Sequence, residues 1–153
     1  MFKKTIVVAF VLLAVLVSFA AADTVDIKAR VDVNRGRSDS CGIDLDRSSL
    51  NFGTVDDGET SSIRTVTVEN TGSRRAQISL RGTDWEDVDL SRRFSVSATR
   101  YGLTFPTAAL THTSRFVFSL DENEEDDVGF DVRIPLGQPD GTYEQTITFI
   151  SSC

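Results

Sequence analysis

The sequence has few of the side chains that metal centres and acid–base catalysis usually require. It contains one histidine, His112, and two cysteines, Cys41 and Cys153. These three residues are too few and too far apart to form a usual zinc-ligand set on their own. No GxSxG elbow, HExxH helix or glycine-rich phosphate loop is present. Serine and aspartate are plentiful, which leaves a Ser-His-Asp arrangement open by counting alone. We predict no enzymatic activity and no cofactor, with His112 in an exposed loop.

Long hydrophobic runs are absent except at the N-terminus. There, Lys3 and Lys4 precede an unbroken apolar run over residues 6–17, and the small residues at 20–22 follow it. This pattern predicts a signal peptide over residues 1–22, cleaved after Ala22. An uncleaved anchor is the alternative, but residues 6–22 fall short of the roughly 20 apolar residues that a membrane span needs. We predict a secreted, extracellular or cell-surface protein with no membrane attachment after cleavage.

Basic residues are scarce in the predicted mature chain. The whole sequence has 16 basic and 23 acidic residues, and removing Lys3 and Lys4 leaves 14 basic residues and a formal charge of −9. Phosphate backbones and anionic lipid surfaces are bound through clusters of lysine and arginine, which this chain lacks. Nucleic acid and anionic membranes are therefore predicted not to be partners.

Residues 50–72 set the predicted architecture. Leu50 and Phe52 alternate with a polar residue, as in a half-buried strand. The pattern stops at a turn over residues 56–58, in which Gly58 can adopt a positive φ. A second strand then places Val66 and Val68 on one face before a second turn. Alternation of this kind recurs along the chain without an amphipathic helix. The pattern predicts an all-β sandwich of about eight strands.

Within residues 50–72, the sequence NFGTV is followed by acidic residues with a glycine, a polar spacer and then TVTVENTG. This order resembles the immunoglobulin-like β-sandwich modules of secreted archaeal and bacterial surface proteins. It is also similar to the wider group that includes the ASPM, SPD-2 and hydin domains. Residues 82–85 and the segment PLGQPDGTYEQTITF at 135–149 extend the resemblance. It implies one antiparallel immunoglobulin-like domain over residues 23–153. Its motifs are turn and strand signals, which specify fold better than activity.

Residues 23–33 show the cleanest alternation in the chain, and a polar, non-periodic segment follows them. One interpretation is an ordinary first strand of the sandwich. The other is that residues 23–37 form an arm that completes the sheet of a neighbouring copy by donor-strand complementation. The chain is similar in layout to β-sandwich subunits of surface filaments that assemble in this way. The residues that would face the acceptor are Val25, Ile27, Ala29, Val31 and Val33.

Cys41 and Cys153 both lie in the predicted exported part, where an oxidising environment favours disulfides. We predict that they form a structural disulfide. The chain-entropy account assigns a bridge that closes a loop of about 100 residues at most about 4.7 kcal/mol of stabilisation.

Three features could contact a ligand at the loop ends of the sandwich. Trp85 and Tyr101 could stack on a partner surface, although Trp85 could instead fold back to fill one end of the core. Residues 121–127, DENEEDD, are rich enough in carboxylates for Ca²⁺ but lack the spacing and glycine of an EF-hand loop, so a solvated turn is the preferred interpretation.

These patterns predict a structural or adhesive subunit of a cell surface, which assembles with copies of itself or with other surface proteins. Self-assembly into filaments would use the strand at residues 23–33. The alternative is a monomeric extracellular binding module that uses its loops to hold a protein, a glycan or Ca²⁺.

Overall fold

The computed structural model of the chain describes residues 24–34, 41–88 and 92–153. The predicted signal peptide at 1–22 and the segment 35–40 lie outside these residues. Twelve strands and one short 3₁₀ turn, Val96–Ala98, form the regular structure. The strands are β1 Thr24–Asn34, β2 Ile43–Leu45, β3 Ser49–Asp56, β4 Arg64–Asn70, β5 Ala76–Gly82, β6 Trp85–Asp87, β7 Arg93–Phe94, β8 Thr99–Gly102, β9 Ala108–Ala109, β10 Arg115–Leu120, β11 Glu125–Val132 and β12 Gly141–Ser152.

The strands form two sheets that pack as an immunoglobulin-like β-sandwich, which confirms the predicted fold class. The first sheet has the order β10-β5-β12-β1-β3, with the short strands β6 and β7 attached beside β12. The second has the order β2-β4-β11-β8-β9. No helix in the described ranges is long and apolar enough to cross a membrane.

Two details of the predicted fold need correction. The described chain has twelve strands rather than about eight, because β2, β6, β7 and β9 contain only two or three residues each. Such short strands show no period of two in sequence. The sheets are also not wholly antiparallel, since β1 runs parallel to β12.

The core follows from the alternation of apolar residues along the longer strands. Val66 and Val68 on β4 are fully buried, as their spacing predicts. The rings of Phe130 on β11 and Phe149 on β12 meet edge to face across the two sheets, with centroids 6.1 Å apart. Because each sheet turns one face inward, the same period of two also leaves the other face to solvent.

The NFG sequence at 51–53 marks a β-bulge. Along the pair of β1 and β3, Ile27 lies opposite Gly53 and Lys28 opposite Asn51, so Phe52 is an extra residue in β3. Gly53 has a φ of 79° and donates its N–H to Asn51 Oδ1 at 2.9 Å. Gly58, at a φ of 78°, has the positive φ that the sequence predicts for the turn at residues 56–58.

Asn70 ends β4 with a buried side chain that joins two turns. Its Nδ2 lies within hydrogen-bond distance of the carbonyl oxygens of Arg74, Leu120 and Asp121, at 2.8, 3.1 and 3.0 Å. Its Oδ1 accepts from the N–H of Gly72 at 3.0 Å. Because both ends of this buried amide are hydrogen-bonded, the cost of its desolvation is offset, and the amide holds the neighbouring segments in one arrangement.

Candidate functional site

The N-terminal strand β1 occupies the interior of the first sheet. It pairs with β12 in parallel from Val25 opposite Gly141 to Asn34 opposite Ile150. On its other side it pairs antiparallel with β3, from Thr24 to Arg30. In the described strand order, β3 joins this sheet through β1 alone. Removal of β1 would therefore open a groove between β12 and β3 and detach β3 from the sheet.

The inward face of β1 carries the residues that the alternation selects. Ile27, Ala29 and Val31 are buried, and Val33 is partly buried against the core. Val25 pairs with Val55 and Gly141 through its backbone, but its side chain lies outside the description. Burial of an isoleucine or valine side chain is worth about 1.5–3 kcal/mol. An empty groove would thus expose apolar surface and a row of backbone donors and acceptors, and it needs a strand to fill it.

The disulfide fixes the point at which β1 connects to the rest of the domain. Cys41 and Cys153 are bonded, as predicted, with their Cα atoms 5.7 Å apart. Ser151 Oγ donates to the Cys41 carbonyl at 2.5 Å in the same region. Asn34 at the end of β1 lies opposite Ile150 on β12. The last described residue of β1 and the first residue after the segment 35–40 therefore both lie at the C-terminal end of β12.

Trp85 and Tyr101 are not surface contacts. Trp85 is 0 % exposed and Tyr101 is 6 % exposed, on β6 and β8. The Trp85 ring stacks on Phe94 with centroids 5.5 Å apart, because β6 and β7 form a small hairpin over the core. The prediction that these two aromatics contact a partner is therefore wrong, and the burial of Trp85 agrees with the alternative, in which its ring folds back onto the core.

A buried polar network surrounds Trp85. Its Nε1 donates to Thr99 Oγ1 at 2.9 Å, and Thr99 Oγ1 donates to Gln145 Oε1 at 2.8 Å. Gln145 Nε2 in turn donates to the carbonyl of Thr83 at 2.7 Å. Because Thr99 lies on β8 and Gln145 on β12, the network bonds one sheet to the other. Sequence patterning shows none of this, since Thr99 and Gln145 lie in segments remote from residues 83–85.

The acidic residues 121–127 form a turn followed by the start of β11. Glu124 Oε2 accepts from the Asp121 N–H at 2.7 Å, and Asp127 Oδ1 accepts from Thr67 Oγ1 at 2.6 Å. Successive side chains of a strand point to opposite faces, so the carboxylates separate rather than converge. Over residues 24–34, 41–88 and 92–153, no group of three or more candidate ligands could hold a metal ion.

His112 lies between β9 and β10 and is largely exposed, as predicted. Its Nε2 is 3.1 Å from Asp84 Oδ1, which also accepts the N–H of Val96 at 2.9 Å. The contact ties two loops together at one end of the sandwich.

A depression that sequence reasoning missed lies at the end of β11. We call it the arginine depression, and its volume is about 630 Å³. Arg100 lies directly across from Asp131 in the pair of β8 and β11. Hydrogen bonds to the Asp131 carboxylate, at 2.9 and 2.6 Å, raise the pKa of Arg100 above its ordinary value. The lining residues are Gly58, Ser95, Ser97, Ala98, Arg100, Arg133, Ile134, Pro135 and Leu136.

Comparisons with known proteins add little beyond fold. No protein-family model and no curated protein sequence matches the chain. Among solved structures it is similar to the ASH / PapD-like domain of human CEP192 (PapD-like domain 7), at 17 % sequence identity and a TM-score of 0.44. The similarity covers 77 % of this chain and 89 % of that chain. It concerns fold alone, and no functional residue is carried over from it.

Proposed function

We propose that the chain is an exported structural or adhesive subunit of a cell surface that associates with copies of itself by exchange of β1. In this proposal, residues 1–22 direct export and are removed, and the domain acts as a non-enzymatic building unit. The sequence resemblance to surface modules of archaea and bacteria supports the location. The disulfide between Cys41 and Cys153 also favours an oxidising compartment.

The position of β1 carries the proposal. It is the first strand of the described residues, it lies inside the sheet, and β3 depends on it for its place in the described strand order. A terminal strand from a second copy offers the groove the same backbone hydrogen bonds and the same Ile27, Ala29 and Val31 side chains. Exchange between copies therefore conserves the contacts of the closed domain, which is why strand swapping is a low-cost route to association.

The experiment uses a cross-link that reports which copy supplies β1. Lys28 on β1 and Glu144 on β12 are register partners, and both are exposed. Neighbouring strands lie about 4.8 Å apart, close enough for a disulfide. In the variant Lys28→Cys with Glu144→Cys, an unexchanged strand gives a bond within one chain. An exchanged strand gives a bond between two chains.

The variant is unfolded, refolded at high concentration and then oxidised. A non-reducing gel should show a ladder of covalent oligomers. Complete internal cross-linking with monomer alone would overturn the proposal. The pair Lys28→Cys with Arg115→Cys is the matched control, since β10 lies three strands from β1 and random collision alone would join these cysteines. If the first pair impairs folding, the register partners Arg30 and Thr146 provide a second.

A further inference from the structure

The arginine depression combines positive charge with exposed apolar surface on an acidic protein. Arg100 uses its Nε and one terminal nitrogen on Asp131, which leaves three of its five N–H donors for another acceptor. Arg133 is exposed and takes part in no ion pair within the described part of the chain. Leu136 beside them is 86 % exposed. Arginine next to exposed apolar side chains is typical of protein interfaces.

The guanidinium groups of Arg100 and Arg133 are suited to bind carboxylates. A guanidinium presents paired N–H donors that match the two oxygens of a carboxylate. Ser95 and Ser97 line the same depression, and their hydroxyl groups are hydrogen-bonded to each other at 2.8 Å, which leaves one of the two hydroxyl protons for another acceptor. No acidic side chain is part of the lining. An acidic segment of a protein therefore fits the charge and the hydrogen-bond donors of this surface.

The chain carries such a segment in the acidic turn, by which we mean residues 121–127. All seven residues are exposed. Asn123 adopts the left-handed region at a φ of 59°, and Glu124 binds back to the N–H of Asp121 at 2.7 Å. The turn is thus held in one shape before any contact forms, which lowers the entropy cost of binding. Neither Glu122 nor Glu125 forms an ion pair among the described residues.

The two surfaces lie at opposite ends of one strand. Glu125, within the acidic turn, begins β11, and Arg133 directly follows its last residue, Val132. Eight strand residues span roughly 26 Å at about 3.3 Å each. The acidic turn therefore cannot reach the arginine depression of its own chain. It can reach that of another copy.

We infer that the arginine depression is a docking site for the acidic turn of a second copy of this chain. Such a contact joins two different surfaces, so a pair of copies keeps one free acidic turn and one free arginine depression. A contact of that type adds further copies head to tail and does not end at a dimer unless it closes into a ring. It goes beyond the proposed function because it is a second contact between copies and does not involve β1.

The test separates this contact from strand exchange. All proteins carry the Lys28→Cys and Glu144→Cys cross-link, oxidised as monomer at low concentration so that β1 stays in its own sheet. The first variant adds Arg133→Glu, which removes the depression's free cation. The second adds Glu122→Gln with Glu125→Gln, which weakens the acidic turn. Arg81→Glu is the control, because it makes the same charge change at an exposed site on the other sheet.

Sedimentation velocity at protein concentrations up to about 1 mM measures association. In about 0.01 M salt, the cross-linked parent and the Arg81→Glu control should self-associate, and in about 1 M salt they should not, because salt screens exposed charges. Each of the other two variants alone should associate about tenfold more weakly. Mixed together, they should form a one-to-one complex that stops at two copies, since one intact turn meets one intact depression.

Either of two results would overturn the inference. One is a parent protein that remains monomeric in low salt. The other is a mixture of the two variants that associates no better than each variant alone. Both results are independent of β1 exchange, because the cross-link prevents it, so failure here leaves the gel-ladder result for the proposed function unaffected.

Discussion

Trp85 Nε1 donates a hydrogen bond to Thr99 Oγ1 at 2.9 Å in the closed interior between the two sheets. The same Thr99 hydroxyl donates a hydrogen bond to Gln145 Oε1 at 2.8 Å. One hydroxyl therefore satisfies a donor from β6 and an acceptor from β12. An apolar side chain of the same shape at position 99 would leave both partners buried without that bond.

Thr99→Val should therefore destabilise the domain by about 1–3 kcal/mol, the usual cost of a buried polar group left unsatisfied. Chemical denaturation followed by tryptophan fluorescence measures this change, since Trp85 is the one tryptophan. Thr148→Val, a half-exposed site on β12, is the control and should stay within about 0.5 kcal/mol of the wild type. Equal effects at the two sites would contradict a stabilising role for the network.

Ile27→Ala should lower the free energy of unfolding by about 2–5 kcal/mol, because Ile27 is fully buried on β1 and a cavity would remain. The same experiment on Lys28→Ala, one residue along and exposed, should give a change within about 0.5 kcal/mol. If Ile27→Ala were as mild as Lys28→Ala, β1 would not be packed into the core in solution.

Removal of the disulfide by Cys41→Ser with Cys153→Ser should cost about 2–5 kcal/mol, since the bridge closes a loop across a sequence separation of 112 residues. Urea unfolding of the variant beside the oxidised wild type checks the value. A difference below about 1 kcal/mol would show that the bridge adds little constraint to the unfolded chain.

Asp46 should contribute stability that depends on pH. A hydrogen bond from Arg47 holds the pKa of the Asp46 carboxyl below its ordinary value of 3.8, aided by the Thr67 N–H and opposed by partial burial. Because the folded pKa is lower than the unfolded one, the contribution is complete above about pH 4 and disappears as pH falls through the lowered pKa. The free energy of unfolding of Asp46→Asn should therefore be lower than that of the wild type at neutral pH, and this difference should shrink in acid. A gap that stays constant down to about pH 2 would contradict this account.

Much of the fold could be predicted from local patterns. The alternation at Val66 and Val68 placed β4 correctly, and the spacing of Ile27, Ala29 and Val31 identified the buried face of β1. Apolar residues alternate with a period of two because successive side chains of a strand point to opposite faces of the sheet. This alternation is visible within a few residues. Glycine at 58 likewise marks a turn through its own backbone freedom. The disulfide could be predicted because the chain has two cysteines.

The proposed sites depended on information that no local window contains. Arg100 and Arg133 are far apart in sequence and line one depression because β8 pairs with β11. The surroundings of Trp85 required β6 and β7 to form a hairpin against the core, so an acidic neighbourhood in sequence was a poor guide to exposure.

The sequence by itself determined which residues alternate, where turns can form, and that the domain would be an all-β sandwich, because these depend on side-chain chemistry within a few positions. Tertiary structure alone decided that β1 lies parallel to β12 inside a sheet and that the acidic turn and the arginine depression lie at opposite ends of β11. Strand order and register are set by contacts between distant segments, whose energies depend on the packing of the whole sandwich rather than on any one stretch of chain.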